Sequence, residues 1–159
     1  MYGVARSHMM VRLLAEAAAG ATSIMVDTGM DWVAGEQIYL APTSFTFTAS
    51  DYATIQAYDT ATGELTLTAP LTYYHFGAAA STAAKYNDKI DLRGEVVLLT
   101  RNIKIVGDAT QPDIDWGGQI VMSDTISSSG KEFHALLEMK DVEMINCGQK
   151  QTFKAAIRI

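Results

Sequence analysis

The chain has 159 residues, 48% of them hydrophobic and 19% charged, with a net charge of −6 at pH 7. That length makes one domain or a slice of a larger protein, and it can bury a core without disulfides or metals. The acidic balance without a Lys/Arg cluster argues against nucleic acid or an anionic membrane surface as partner, no stretch approaches the ~18 apolar residues of a membrane span, and the single cysteine, Cys147, permits no intrachain disulfide.

Along the chain, Met10–Ala19, "MVRLLAEAAA", has a helix-forming composition, but Gly20 with Thr22-Ser23 reads as a turn entering a strand. A short helix and an extended segment both fit. From Ser23 onward the punctuation is that of an all-β protein. Ser23–Val26 is a short apolar run, and "DWVAGEQIYLAP" places a turn at Gly35 before an alternating strand, Gln37–Leu40, stopped by Pro42. "YATIQAYD" alternates with period two, "TATG" turns through Gly63, and "ELTLTAPL" alternates again. These segments together predict a small antiparallel meander.

Ala78–Ala84, "AAASTAA", reads as a surface loop, after which the pattern changes. Short apolar runs at Glu95–Leu99, Ile103–Val106, Gln119–Met122, Ala135–Met139, Val142–Ile145 and Ala155–Ile159 are separated by loops rich in Gly, Asn, Asp and Ser. "EVVLL" is continuously apolar, as expected for a strand covered on both faces. Many short strands without tight hairpins fit a solenoid of parallel coils. A β-sandwich is the competing architecture, and it would want more two-residue hairpin turns. Both ends break off within a pattern, so the chain reads as a fragment of a longer one, and its lack of a signal peptide carries little weight.

The segments "DWVAGEQIYLAPTSF", "GELTLTAPLTYYHFG", "DLRGEVVLLTRNIKIVGD", "GGQIVM" and "ALLEMKDVEMINCGQ", in this order, resemble the eight-glycine domain and the following β-helix. That arrangement occurs in fibrocystin-like proteins and in the cell migration-inducing, hyaluronidase-like and transmembrane-protein-2-like ectodomains. The resemblance runs from about Leu13 to Ile159, and "RGEVVLLTRNIKIVG" is its most specific piece. It implies a right-handed parallel β-helix of the pectin-lyase-like kind, preceded by a small antiparallel β cap. Residues 1–90 would form the eight-glycine-type cap and first coils, and residues 91–159 the β-helix coils, truncated at both ends. An extracellular place at a cell or cilium surface is implied with it.

Within "RGEVVLLTRNIKIVG", Thr100-Arg101-Asn102 reads as the corner joining two strands of one coil, with Asn146 a further corner residue. Arg101 would pair with an acid such as Glu95 or Asp91, because a charge between buried strands must be paired. The functional reading of the same region is a carbohydrate-binding groove of Arg101, Asp113, Asp115 and Trp116. Together with Asp108 and Asp124, the loop aspartates have the chemistry of a calcium site, but the EF-hand spacing is missing, so no metal or other cofactor is expected. His75, in "TYYHFG", has no second His or Cys at metal-ligand spacing and reads as a packed residue capping a strand end. Tyr52, Tyr58, Tyr73, Tyr74, Trp32 and Trp116 have the rings to stack on sugars, although core or corner packing is their ordinary use in β-solenoids. Gln119 stands where many of the relatives carry a histidine after the paired glycines, and Arg158 where they tend to begin a Tyr-Pro-Ile-His-Phe-His motif. No catalytic residues are assigned. The reading is a non-catalytic structural or adhesion module whose partners are other protein chains or the remainder of its own β-helix. The alternative is a carbohydrate-active ectodomain that binds or depolymerises a hyaluronan-like polysaccharide.

Overall fold

The computed structural model describes residues 1–79, 85–86, 90–108, 110, 117–149 and 152–158. The described residues contain strands, turns and bends but no helix. The chain divides into two compact units, one of residues Arg6–Thr100 and one of Met1–Ala5 with Arg101–Ile159.

The first unit carries β1 (Met10–Arg12), β2 (Ser23–Met25), β3 (Gln37–Leu40), β4 (Asp51–Tyr58), β5 (Glu64–Leu67), β6 (Lys85–Tyr86), β7 (Ile90–Asp91) and β8 (Glu95–Leu98). Six of these form one sheet in the order β1-β8-β3-β4-β5-β2, and every neighbouring pair is antiparallel. The β3-β4-β5 meander stands as the alternation predicts. Gly63 makes its turn at φ 79, with no room for a side chain because an added Cβ would sit 2.2 Å from the Val26 carbonyl oxygen. The sheet curls into a half-barrel, and just beyond β1 the Leu14 amide donates to the carbonyl of Met25 on β2 at 2.8 Å.

Alternation explains the core. Val11, Ile24, Ile38, Leu40, Ile55, Leu65, Leu67, Val96 and Leu98 point inward from the strands, and Leu13, Val26, Met30, Trp32 and Leu71 join them from the connections. Met10–Ala19 is therefore extended. Val11 and Leu13 enter the core with Arg12 between them facing out, a period-two pattern that a helix would break. Helix propensity loses here because burial of the two apolar side chains is worth more than the few tenths of a kcal/mol per residue at stake.

Two expectations change at β8. "EVVLL" is covered on one face only: Val96 and Leu98 are fully buried, while Glu95 and Val97 are half-buried on the outer side. The strand lies between β1 and β3 of the antiparallel sheet, so it is not the first strand of a parallel coil. Thr100-Arg101 accordingly marks the boundary between units, and the two apolar runs flanking it belong to different sheets.

The second unit carries β9 (Ile103–Val106), β10 (Ile120–Val121), β11 (Thr125–Ile126), β12 (Glu132–Phe133), β13 (Val142–Ile145) and β14 (Ile157–Arg158). β11 and β12 form an antiparallel hairpin. The other pairings are parallel: β9 with β13, β10 with β14, and a bridge from Gly118 to Cys147 between them. The chain thus runs through 103–106, 118 and 120–121, then passes the same neighbours in the same order at 142–145, 147 and 157–158. Gly107 fits this stacking because an added Cβ would lie 1.9 Å from the Asn146 carbonyl oxygen. Among the described residues of this unit only Gly107 is buried, and Val106, Val121, Ile126, Leu136 and Phe153 are exposed. The run Ala135–Met139 is not a strand. The expected loop Ala78–Ala84 lies, from residue 80 on, outside the described residues.

Replacing Leu98 with Ala is expected to destabilise the first unit by about 2–5 kcal/mol, since a fully buried side chain on an interior strand leaves a cavity. Urea unfolding followed by the fluorescence of buried Trp32 measures it; a loss under ~1 kcal/mol would contradict this placement of β8.

Candidate functional site

Among the described residues, the most buried titratable group is one that the sequence singles out. His75 is 0% exposed, and its backbone pairs with Ala17 in both directions, at 2.8 and 3.0 Å. Its Nε2 lies 2.9 Å from Asp51 Oδ2 and its Nδ1 lies 3.0 Å from the Ala41 carbonyl. Asp51, also buried, opens β4 and accepts the Thr72 amide on Oδ1 at 2.9 Å and the Tyr73 amide on Oδ2 at 3.0 Å. Burial pushes the Asp51 carboxyl up, but the bonds from His75, Thr72 and Tyr73 outweigh it and hold the group below the ordinary carboxylate value. His75 packs as the sequence suggests, but its role is larger than capping one strand. Its main chain and ring tie together segments at 17, 41, 51 and 72–73. No solvent reaches the ring, and each of its nitrogens faces a protein oxygen, so the pair is a clasp without access for a substrate.

Three more polar groups work in the same way. Glu36 is 5% exposed, takes the Val33 amide at 2.9 Å and pairs with Arg6. Trp32 is buried and donates its indole N–H to the His8 carbonyl at 2.8 Å, and the Tyr58 hydroxyl donates to the Asp27 carbonyl at 2.7 Å. Those two aromatic residues are packing elements, whereas Tyr52, Tyr73 and Tyr74 are exposed. Nothing in the sequence marks Asp51 or Glu36 as buried, because each becomes so only through partners distant along the chain.

Of the four residues of the expected groove, Arg101 alone falls among the described residues. Asp113, Asp115 and Trp116 lie outside them. The Arg101 amide donates to Glu143 Oε2 at 3.2 Å, an oxygen that Lys104 also meets at 3.0 Å. Glu95, expected near Arg101, pairs with Arg12 at 2.8 Å. Asp91, the other acid expected there, is held to about 2 first by the hydrogen-bonded Arg93 guanidinium, against the upward push of burial. Asn102 accepts the Val4 amide on its side-chain oxygen at 2.7 Å. Asn146 follows β13 with a left-handed φ of 51, and its carbonyl accepts the Gly118 amide at 3.0 Å. Asp108 caps its own turn by accepting from Thr110, and Asp124 accepts from exposed His134 and from the Ala135 amide. No grouping of three His, Cys, Asp or Glu side chains suited to a metal occurs among the described residues.

No family model matches the chain. It is similar to fibrocystin of Canis lupus familiaris, 29% identical over 148 residues, which is 93% of this chain and 3% of that protein. It is similar to fibrocystin-L of Mus musculus, 30% identical over 122 residues, 76% of this chain and 3% of that protein. A G8 domain-containing protein of Dictyostelium discoideum is 26% identical over 115 residues, 70% of this chain and 9% of that protein. The similarity over most of the chain supports a fibrocystin-like, G8-type domain. The chain spans 3% to 4% of the length of the fibrocystin relatives it matches.

Because the folded-state Asp51 carboxyl titrates below its ordinary 3.8, its contribution to stability is present above that pH and is lost as pH falls through the lower folded value. Urea midpoints measured from pH 5 down to about pH 2 are expected to fall with acid, and Asp51→Asn is expected to flatten that slope while costing about 1–3 kcal/mol at pH 7. An unchanged slope in the variant would remove Asp51 from this role.

Proposed function

We propose that the chain is a non-catalytic structural segment of a large extracellular surface protein, in which an antiparallel half-barrel is followed in the chain by the first coils of a right-handed parallel β-helix. The observation that carries this reading is the ordered set of parallel pairings in the second unit, 103–106 with 142–145, 118 with 147, and 120–121 with 157–158. A chain that passes the same neighbours twice, in the same order and direction, has the connectivity of stacked coils, and parallel crossovers are right-handed by strong preference. The exposed apolar side chains of that unit suit further stacking, because a solenoid coil cannot bury its apolar residues alone. The similarity to fibrocystin and fibrocystin-L supports a place within a much longer protein and, on this reading, a surface location. Its partners, on this reading, are neighbouring coils and other protein chains.

Electron cryo-microscopy of the intact protein to which this segment belongs tests the architecture. Further parallel strands stacked beside β13 and β14 are expected, and an antiparallel neighbour there would overturn the β-helix. For the absence of catalysis, hyaluronan incubated with the chain should keep its length on an agarose gel. Shortening that Arg101→Ala abolishes would replace this reading with the carbohydrate-active one.

A further inference from the structure

We propose that the outer face of the antiparallel sheet binds a linear, uncharged polysaccharide along a row of side chains crossing four strands. Met10 on β1 stands opposite Val97 on β8, Val97 opposite Tyr39 on β3, and Tyr39 opposite Tyr52 on β4. Their chain neighbours Val11, Val96, Leu98, Ile38, Leu40 and Asp51 are buried, so period-two alternation turns the row outward. Met10 is 50% and Tyr52 76% exposed, and the Tyr39 and Tyr52 ring centroids lie 5.1 Å apart with their planes tilted by 56°. Opposite side chains on one face are immediate neighbours, so the four make a continuous apolar ridge with its aromatic half the more open at Tyr52.

Three features decide the occupant. Size is the first. The row is four side chains in single file, against the roughly 20–30 residues a side of a standard protein interface. A narrow chain is what it can hold, and with strands about 4.8 Å apart, successive members meet successive rings of an extended sugar polymer. Charge is the second. On one flank Arg12 pairs with Glu95 at 2.8 Å and with Asp91 at 3.7 Å, and Asp91 pairs with Arg93 at 2.7 Å, two cations against two acids; on the other stand uncharged Gln37 and Thr54, cross-strand partners. The strip therefore offers no net attraction to an anion or a cation. Chemistry is the third: apolar ring faces beside the amide of Gln37 and the hydroxyl of Thr54 match a ligand with apolar CH faces and hydroxyl edges, the mixture that orients sugars on aromatic platforms. None of these side chains belongs to the expected set Arg101, Asp113, Asp115 and Trp116, and the proposal does not depend on the β-helix reading.

Titration of the 159-residue chain with cellohexaose and with chitohexaose, followed by two-dimensional NMR of backbone amides, tests the proposal. Shifts concentrated in β1, β8, β3 and β4 are expected with at least one of the two sugars. Tyr52→Ala should weaken binding about tenfold, Tyr52→Phe should preserve it, and Phe153→Ala in the other unit should leave it unchanged. Trp32 fluorescence reports that each variant is folded, and Met10→Ala, at the far end of the row, should also weaken binding. No shifts with either sugar, or equal binding by wild type and folded Tyr52→Ala, overturns the proposal. So does sedimentation showing a dimer that Tyr52→Ala dissociates, which would assign the face to a second copy of the chain.

Discussion

The contact between His75 and Asp51 is the point on which the first unit closes. A curled sheet with free outer strands leaves a row of unmet backbone groups along each of them, and the strands flanking the opening must be pinned to complete the core. Here the pinning is shared by the Leu14–Met25 hydrogen bond, by the paired backbones of Ala17 and His75, and by the ring of His75 reaching both Ala41 and Asp51. A buried carboxylate is costly unless its oxygens are met, and Asp51 collects two amides and an imidazole. The same contact that satisfies the acid therefore fixes the segment at 72–75 against the start of β4.

The two units are stabilised in different ways. The first has an enclosed core, with sixteen hydrophobic residues from Val11 to Leu98 buried among the described residues. The second is held mainly by main-chain pairing between successive passes of the chain, with half-buried side chains along β13 and exposed ones beyond it. Antiparallel strands joined by short turns can close on themselves within a hundred residues, whereas a parallel ladder needs a long return before each new pair. That difference fits a first unit that closes its own core and a second unit whose parallel pairs each follow a longer return of the chain.

The change of character near residue 90 was visible in the chain, but its meaning was not. Glu95–Leu98 reads as a fully covered strand because Val97 is as apolar as its neighbours. Only the register shows Val97 on the outer face, between Met10 and Tyr39, where an apolar side chain serves a surface ridge. The aromatic residues divide for a similar reason. Trp32 and Tyr58 have polar atoms that find backbone partners inside, while Tyr52 alternates outward from a buried Asp51. Composition weighs these residues alike, and strand register separates them.

By itself, the sequence determined the β class, the β3-β4-β5 meander with its turn at Gly63, the places of most short strands, and the likeness to fibrocystin-type segments. These follow from local rules: period-two alternation, glycine where φ is positive, and motifs kept in order. Tertiary structure alone decided that Met10–Arg12 is a strand, that β8 pairs with β1 and β3, and that Asp51 is the partner of His75. Each of those depends on residues brought together from distant parts of the chain, with β1 and β8 more than eighty residues apart, and no local pattern encodes which strand will be the neighbour.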